Sequence, residues 1–171
     1  MWEISKKFEF DYGHRVWTQD LNPEMALTNK NKCRHLHGHR GKIEVHLSGS
    51  NLTGGMVTDF NHLNFFKKWV DEYLDHKFLI DINDPLFNSI VPECGTAPNP
   101  DHYSHKCVPI NKDPLTMELA ESFTIVNFVP TSEEIARWIF NVLFTELNPK
   151  NITVSKVTFW ETPKSKTVFS L

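Results

Sequence analysis

The sequence has little of several things that would each have marked a class. Three cysteines in 171 residues, Cys33, Cys94 and Cys107, are few and odd in number, so no disulfide framework is expected and each is expected as a thiol. No apolar run approaches the roughly 18 residues that cross a bilayer, and the opening MWEISKKFEF lacks the apolar centre of a secretory signal. These two absences predict a cytoplasmic protein with no membrane partner. Excess charge is missing as well: the formal net charge is -3, which gives nucleic acid no general reason to bind. Internal repeats and low-complexity tracts are absent too. What is present is 40% hydrophobic and 12% aromatic residues, the composition of a globular chain, and a length that predicts one domain over residues 1–171.

Hydrophobic periodicity predicts the elements. Ile4, Phe8, Phe10, Tyr12 and His14 share even parity in an opening strand, and Ile43, Val45 and Leu47 alternate with Glu44, His46 and Ser48 in a second. After the Gly54-Gly55 turn, Asp59 or Asn61 caps a helix whose apolar face is Leu63, Phe66, Val70, Tyr73 and Leu74. Thr131 and Glu134 read as the capping box of a second helix, with Ile135, Trp138, Ile139, Val142 and Leu143 on one stripe and Pro149 closing it. Alternation returns over Val154–Glu161 and again over Thr167–Phe169. Strands, helices and strands in that order predict an α+β domain, an antiparallel sheet with two helices on one face. Between them, Asn83 to Glu121 contains six prolines and reads as a largely irregular excursion.

The chemistry concentrates in CRHLHGH, Cys33 to His39. In extended backbone His37 and His39 project to one face with Cα atoms about 7 Å apart. Their odd parity runs on into Ile43, Val45 and Leu47, which places the pair at the end of the buried face, and His14 stands likewise to Phe8, Phe10 and Tyr12. Three imidazoles at the ends of two strands make a three-histidine site with one open position, the arrangement of a catalytic zinc. Cys33 has two readings, a fourth zinc ligand or a base or nucleophile beside the metal; Lys32 and Arg34 flank it, surroundings that favour a thiolate. From Met25 to Ile43 the chain carries Lys30, Lys32, Arg34, Arg40 and Lys42 and no acidic residue, so a polyanionic ligand is expected to dock there.

Weaker candidates complete the set. Asp75 and His76 can form a relay that holds one imidazole tautomer. Glu161 shares a strand face with Val157 and Phe159, so an inward carboxylate there needs donors such as an amidine-like ligand edge. Glu133 lies in a first helical turn, where a carboxylate is favourable in any protein. Cys94, His102, His105 and Cys107 are a possible second metal set, at spacings that match no standard pattern.

FDYGHR around His14, CRHLHGH, MVTDF at 56–60, LDHKFL, PTSEE at 130–134 and WET at 160–162, in that order, resemble the 6-pyruvoyltetrahydropterin synthase / 6-carboxytetrahydropterin synthase family over most of the chain outside about 83–121. Three residues between Cys33 and His37 match the carboxytetrahydropterin, queuosine-pathway branch, where the pyruvoyl branch typically has five. The resemblance implies a tunnelling fold (T-fold), in which subunits pair their sheets into a barrel, commonly a hexamer, with active sites between subunits. It implies zinc held by His14, His37 and His39, Cys33 as proton acceptor, Asp75 with His76 as relay, Glu161 as the pterin anchor, and Thr131 and Glu133 from the family's Pro-Thr-x-Glu segment. The implied reaction converts 7,8-dihydroneopterin triphosphate to 6-carboxytetrahydropterin, acetaldehyde and triphosphate, with Arg15 and the basic stretch as candidates for the triphosphate. The alternatives kept are the pyruvoyl synthase and a pterin-binding protein without turnover. Tyr12, Gly13, Glu134 and the 83–121 insertion depart from the family pattern.

Overall fold

The computed structural model describes residues 1–19, 31–98 and 103–171. Among these, eight strands and four α-helices follow in the order β1 (Trp2–His14), β2 (His37–Gly49), α1 (Asn64–Tyr73), β3 (Lys77–Asp81), α2 (Phe87–Ile90), β4 (Cys94–Pro98), β5 (Ser104–Pro109), α3 (Pro114–Glu121), β6 (Phe123–Val126), α4 (Ser132–Leu147), β7 (Thr153–Thr162) and β8 (Ser165–Phe169). Hydrogen bonds link the strands in the order β4-β5-β6-β3-β1-β2-β7-β8. The backbone divides into two compact units, one of residues 1–10, 40–72 and 132–171, the other of residues 11–39 and 73–131.

The first unit follows the periodicity closely. Ile43, Val45 and Leu47 on β2 are fully buried, and β2 pairs antiparallel with β7, Ile43 opposite Phe159 and Val45 opposite Val157. Strand β8 continues the sheet, antiparallel to β7. Asp59 accepts a hydrogen bond from the Asn61 N–H at 2.8 Å and starts a 3-10 turn at Phe60–Leu63 that leads into α1. On α4, Ile135, Trp138, Ile139, Val142 and Leu143 are all buried, the stripe that a 3.6-residue period requires. Trp138 stands edge-on to Trp69 of α1, ring centres 4.8 Å apart, and truncating it to alanine would cost about 3–5 kcal/mol. Pro149, in the 3-10 turn Asn148–Lys150, ends the helix, and Asn151 reverses the chain in a left-handed conformation, φ 57°.

The second unit corrects two expectations. The sheet is not antiparallel throughout: β1 pairs parallel with β3, Tyr12 opposite Lys77 and His14 opposite Leu79, and β3 pairs parallel with β6. Nor is 83–121 an irregular excursion. It forms α2, β4, β5 and α3, with β5 antiparallel to both β4 and β6. Asp113 caps α3, accepting from the N–H groups of Leu115 and Thr116 at 3.1 and 3.0 Å, and Pro114 opens the helix where its missing N–H costs nothing. Ile80, Val91, Cys107, Ala120 and Ile125 bury a core cluster of their own. Burial there, with the neighbouring Cys94 thiol, pushes the Cys107 thiol up to about 12.

Candidate active site

Strand ends assemble the histidines. Gly38, between His37 and His39, has no room for a side chain: a Cβ would lie 2.9 Å from the Tyr12 carbonyl oxygen, so β1 and β2 approach closely where their histidines stand. The rings of His14, His37 and His39 have centres 4.5, 5.2 and 5.0 Å apart, and their candidate ligand atoms all lie within 4.8 Å of one another. His14 is buried, whereas His37 and His39 are partly exposed, so the cluster has an open side.

Backbone carbonyls orient two of the three rings. His14 Nδ1 donates to the Pro130 carbonyl and His37 Nδ1 donates to the His35 carbonyl, both at 2.7 Å. A carbonyl oxygen only accepts, so in each ring Nδ1 carries the proton and the neutral tautomer keeps its lone pair on Nε2, as a metal ligand must. Burial pushes the His14 imidazole down to about 4; the Pro130 carbonyl opposes this and the neighbouring His37 and His39 add to it. The ring is therefore neutral at pH 7 and ready to coordinate. Three converging imidazoles, two of them with the tautomer set by a backbone carbonyl, fit a zinc-sized cation by donor chemistry.

Cys33 lies in a half-buried 3-10 turn, Lys32–Arg34. Its carbonyl accepts from the Val16 N–H at 2.7 Å and its own N–H donates to Gln19 Oε1 at 3.1 Å. A cleft of about 1180 Å³ is lined by Arg15, Lys32, Arg34, His35 and His37 among others, so one metal-site histidine opens onto a basic wall. Lys30 and the rest of 20–30 lie outside the described residues. Arg15, a candidate phosphate contact, pairs its Nε with Asp84 Oδ2 at 2.9 Å, and both side chains are almost wholly buried. Asp84 belongs to the segment after β3, and no sequence signal paired it with Arg15.

Asp75 and His76 stand together, with Oδ1 and Nδ1 3.2 Å apart. His76 holds a left-handed φ of 57°, which a non-glycine residue adopts at a cost, and the Asp11 backbone braces it. The His76 N–H donates to the Asp11 carbonyl at 2.7 Å, and the Asp11 N–H donates to Asp75 Oδ1 at 3.0 Å. The His76 side chain is 79% exposed, open to a ligand.

In the other unit, Glu161 is half-buried near the end of β7, after Trp160, whose ring has the Lys42 ammonium 4.4 Å from its centre. Exposed Glu133, in the first turn of α4, accepts from Ser132 Oγ at 3.1 Å, and the Thr131 N–H donates to the Val129 carbonyl at 2.7 Å. Of the second metal set, His102 lies outside the described residues, and among those described only His14, His37 and His39 gather as a potential metal-binding group. The residues that sequence reasoning missed are Pro130 and His35, which act through backbone carbonyls and so leave no residue-type signal, and Gln19.

Comparison with known proteins decides the family. The model of the 6-pyruvoyl tetrahydropterin synthase family matches residues 3–170. The chain belongs to this family. It is 35% identical to a 6-carboxy-5,6,7,8-tetrahydropterin synthase of Aquifex aeolicus, covering 96% of this chain and 95% of the relative. Among solved structures, a protein of Wolinella succinogenes described as uncharacterized superposes with a TM-score of 0.90 at 45% identity, covering 99% of this chain and 97% of the other. The 6-pyruvoyl tetrahydropterin synthase of Caenorhabditis elegans superposes at 0.59 with 21% identity, covering 99% and 94%, a likeness of fold. The T-fold expected from the motifs is thus the fold of this family, an α+β arrangement on a largely antiparallel sheet.

Proposed function

We propose that this protein is a zinc-dependent 6-carboxytetrahydropterin synthase, converting 7,8-dihydroneopterin triphosphate and water to 6-carboxytetrahydropterin, acetaldehyde and triphosphate on the route to 7-deazaguanine and queuosine. The observation that carries the reading is the convergence of His14, His37 and His39 within 4.8 Å, with Cys33 three intervening residues before His37 in a basic stretch. The name of the Aquifex aeolicus relative points the same way.

His14, His37 and His39 would hold the zinc, which when bound supplies Lewis acidity toward the side-chain hydroxyls of the substrate. Cys33 as thiolate takes the proton from the neighbouring carbon, the base required for triphosphate to leave. His76, oriented by Asp75, handles a second proton from its exposed position. Glu161 accepts two hydrogen bonds from the guanidine-like edge of the pterin and so fixes which carbon is presented, while Thr131 and Glu133 border the same ligand. Lys32 and Arg34 on the cleft wall neutralise the triphosphate, and Arg15, already paired with Asp84, shapes that wall. The assembly proposed is a homo-oligomer, with a hexamer favoured and active sites completed between subunits, in the cytoplasm.

The test is incubation of zinc-loaded protein with dihydroneopterin triphosphate, followed by mass spectrometry. Acetaldehyde with a 6-carboxy product supports the assignment. A 6-pyruvoyl product transfers the protein to the other branch, and binding without turnover reduces it to a pterin-binding protein.

A further inference from the structure

Cys33 occupies the second position of its 3-10 turn, where a backbone N–H has no partner within the turn and is usually satisfied by the side chain of the residue before it. That residue, Asn31, makes no such bond. The acceptor comes instead from Gln19, fourteen residues upstream, whose Oε1 takes the Cys33 N–H at 3.1 Å. The Cys33 carbonyl is held by the Val16 N–H at 2.7 Å, and the Gln19 N–H donates to the Val16 carbonyl at 3.3 Å, so a single turn grips both polar ends of the cysteine backbone.

That turn is itself anchored. Trp17 Nε1 donates to Asp81 Oδ2 at 2.9 Å, at the end of β3, and Arg15 is ion-paired with buried Asp84. It also begins one residue beyond His14, after Arg15. The thiol residue and one zinc-site histidine are therefore tied to each other through five residues of chain, with Gln19 the side chain that closes the bracket.

We infer that Gln19 is a positioning residue for Cys33, holding the turn that aims the thiol by capping it from a distant part of the chain. The inference rests on the reading of Cys33 as the proton acceptor. Without the cap the turn loosens, the thiol samples wider positions, and the step it performs slows by more than substrate binding weakens, because the flexible side chains of Lys32 and Arg34 in the same turn can still reach an anion.

The test uses Gln19→Met, which keeps length and removes the acceptor, with Gln19→Ala as the second variant. Two measurements are made on each: steady-state kinetics with dihydroneopterin triphosphate, and the rate of iodoacetamide alkylation of Cys33, followed by peptide mass in zinc-loaded protein without substrate. The expected result is a kcat lowered about tenfold with a KM raised by a clearly smaller factor, and alkylation of Cys33 accelerated at least about threefold. A kcat within twofold of the parent, or an unchanged alkylation rate, overturns the inference. Cys33→Ala separates the two claims: product formation at the parent rate in that variant removes the proton-acceptor reading, while the alkylation difference still reports on the cap.

Discussion

Strand β2 carries His37 and His39 at its start and His46 further along, and the company these histidines keep differs in kind. His46 has even parity, opposite to the other two, and is surrounded by side chains. Its Nδ1 lies 3.1 Å from Glu3 Oε1, and its Nε2 is 3.4 Å from Thr158 Oγ1 and 3.9 Å from Glu44 Oε2. Glu3 in turn accepts from Lys156 Nζ at 2.8 Å, and that ammonium holds its carboxyl below the usual range. Both nitrogens of His46 are thus occupied within a polar network. His14 and His37 instead turn one nitrogen to a backbone carbonyl, and together with His39 they draw their ligand atoms within 4.8 Å. Residue type does not make a histidine a ligand. What decides is whether its second nitrogen is aimed at other ligands or spent on a neighbour.

The comparison breaks most sharply at the triad. Removing one first ligand by His39→Ala is expected to lower zinc affinity by more than the roughly 10- to 100-fold typical of losing an outer-shell partner, and to abolish product formation; metal content by elemental analysis checks the first part. An unchanged zinc content would return His39 to the class of His46. Next in size, Cys33→Ala is expected to reduce kcat by about 10²–10⁴-fold while the zinc stays bound, read by turnover and metal content on one sample. Simultaneous loss of zinc would make Cys33 a fourth ligand instead.

Acid gives the third test. The folded-state value of His14 is depressed to about 4 from the 6.5 of a free imidazole, chiefly by burial, so between those values the unfolded chain binds more protons than the folded one. Stability of the metal-free protein is therefore expected to be full above pH 6.5 and to fall by about 3 kcal/mol as pH drops to 4, measured by urea unfolding across that window. His14→Gln should flatten the slope. The smallest effect is expected from His46→Gln: a stability loss of at most about 1 kcal/mol by thermal unfolding, with zinc content and turnover at parent levels.

Much of the site was legible because it obeys strand parity. His37 and His39 run in phase with Ile43, Val45 and Leu47, and His14 with Phe8, Phe10 and Tyr12, so the pattern that buries the core also faces the imidazoles one way. Helix α4 was legible for a similar reason, a stripe long enough to show its period. The segment after α1 was not. KFLID and FTIV are five- and four-residue runs with no alternation to read, and such runs do not distinguish a strand from a piece of helix. Strands β4 and β5 were hidden by their prolines, yet Pro98 and Pro109 stand at strand ends, where a missing N–H does little harm.

The sequence by itself determined the periodic elements, the set of chemistry-bearing residues and the family motifs, since all three depend on residues near one another along the chain. Only the tertiary structure decided that Pro130 and His35 orient the rings, that Asp84 claims Arg15, and that Gln19 caps the turn of Cys33. Each of these is a contact whose partners are chosen by folding, three of them through backbone atoms that every residue carries, so no pattern of side chains could have announced them.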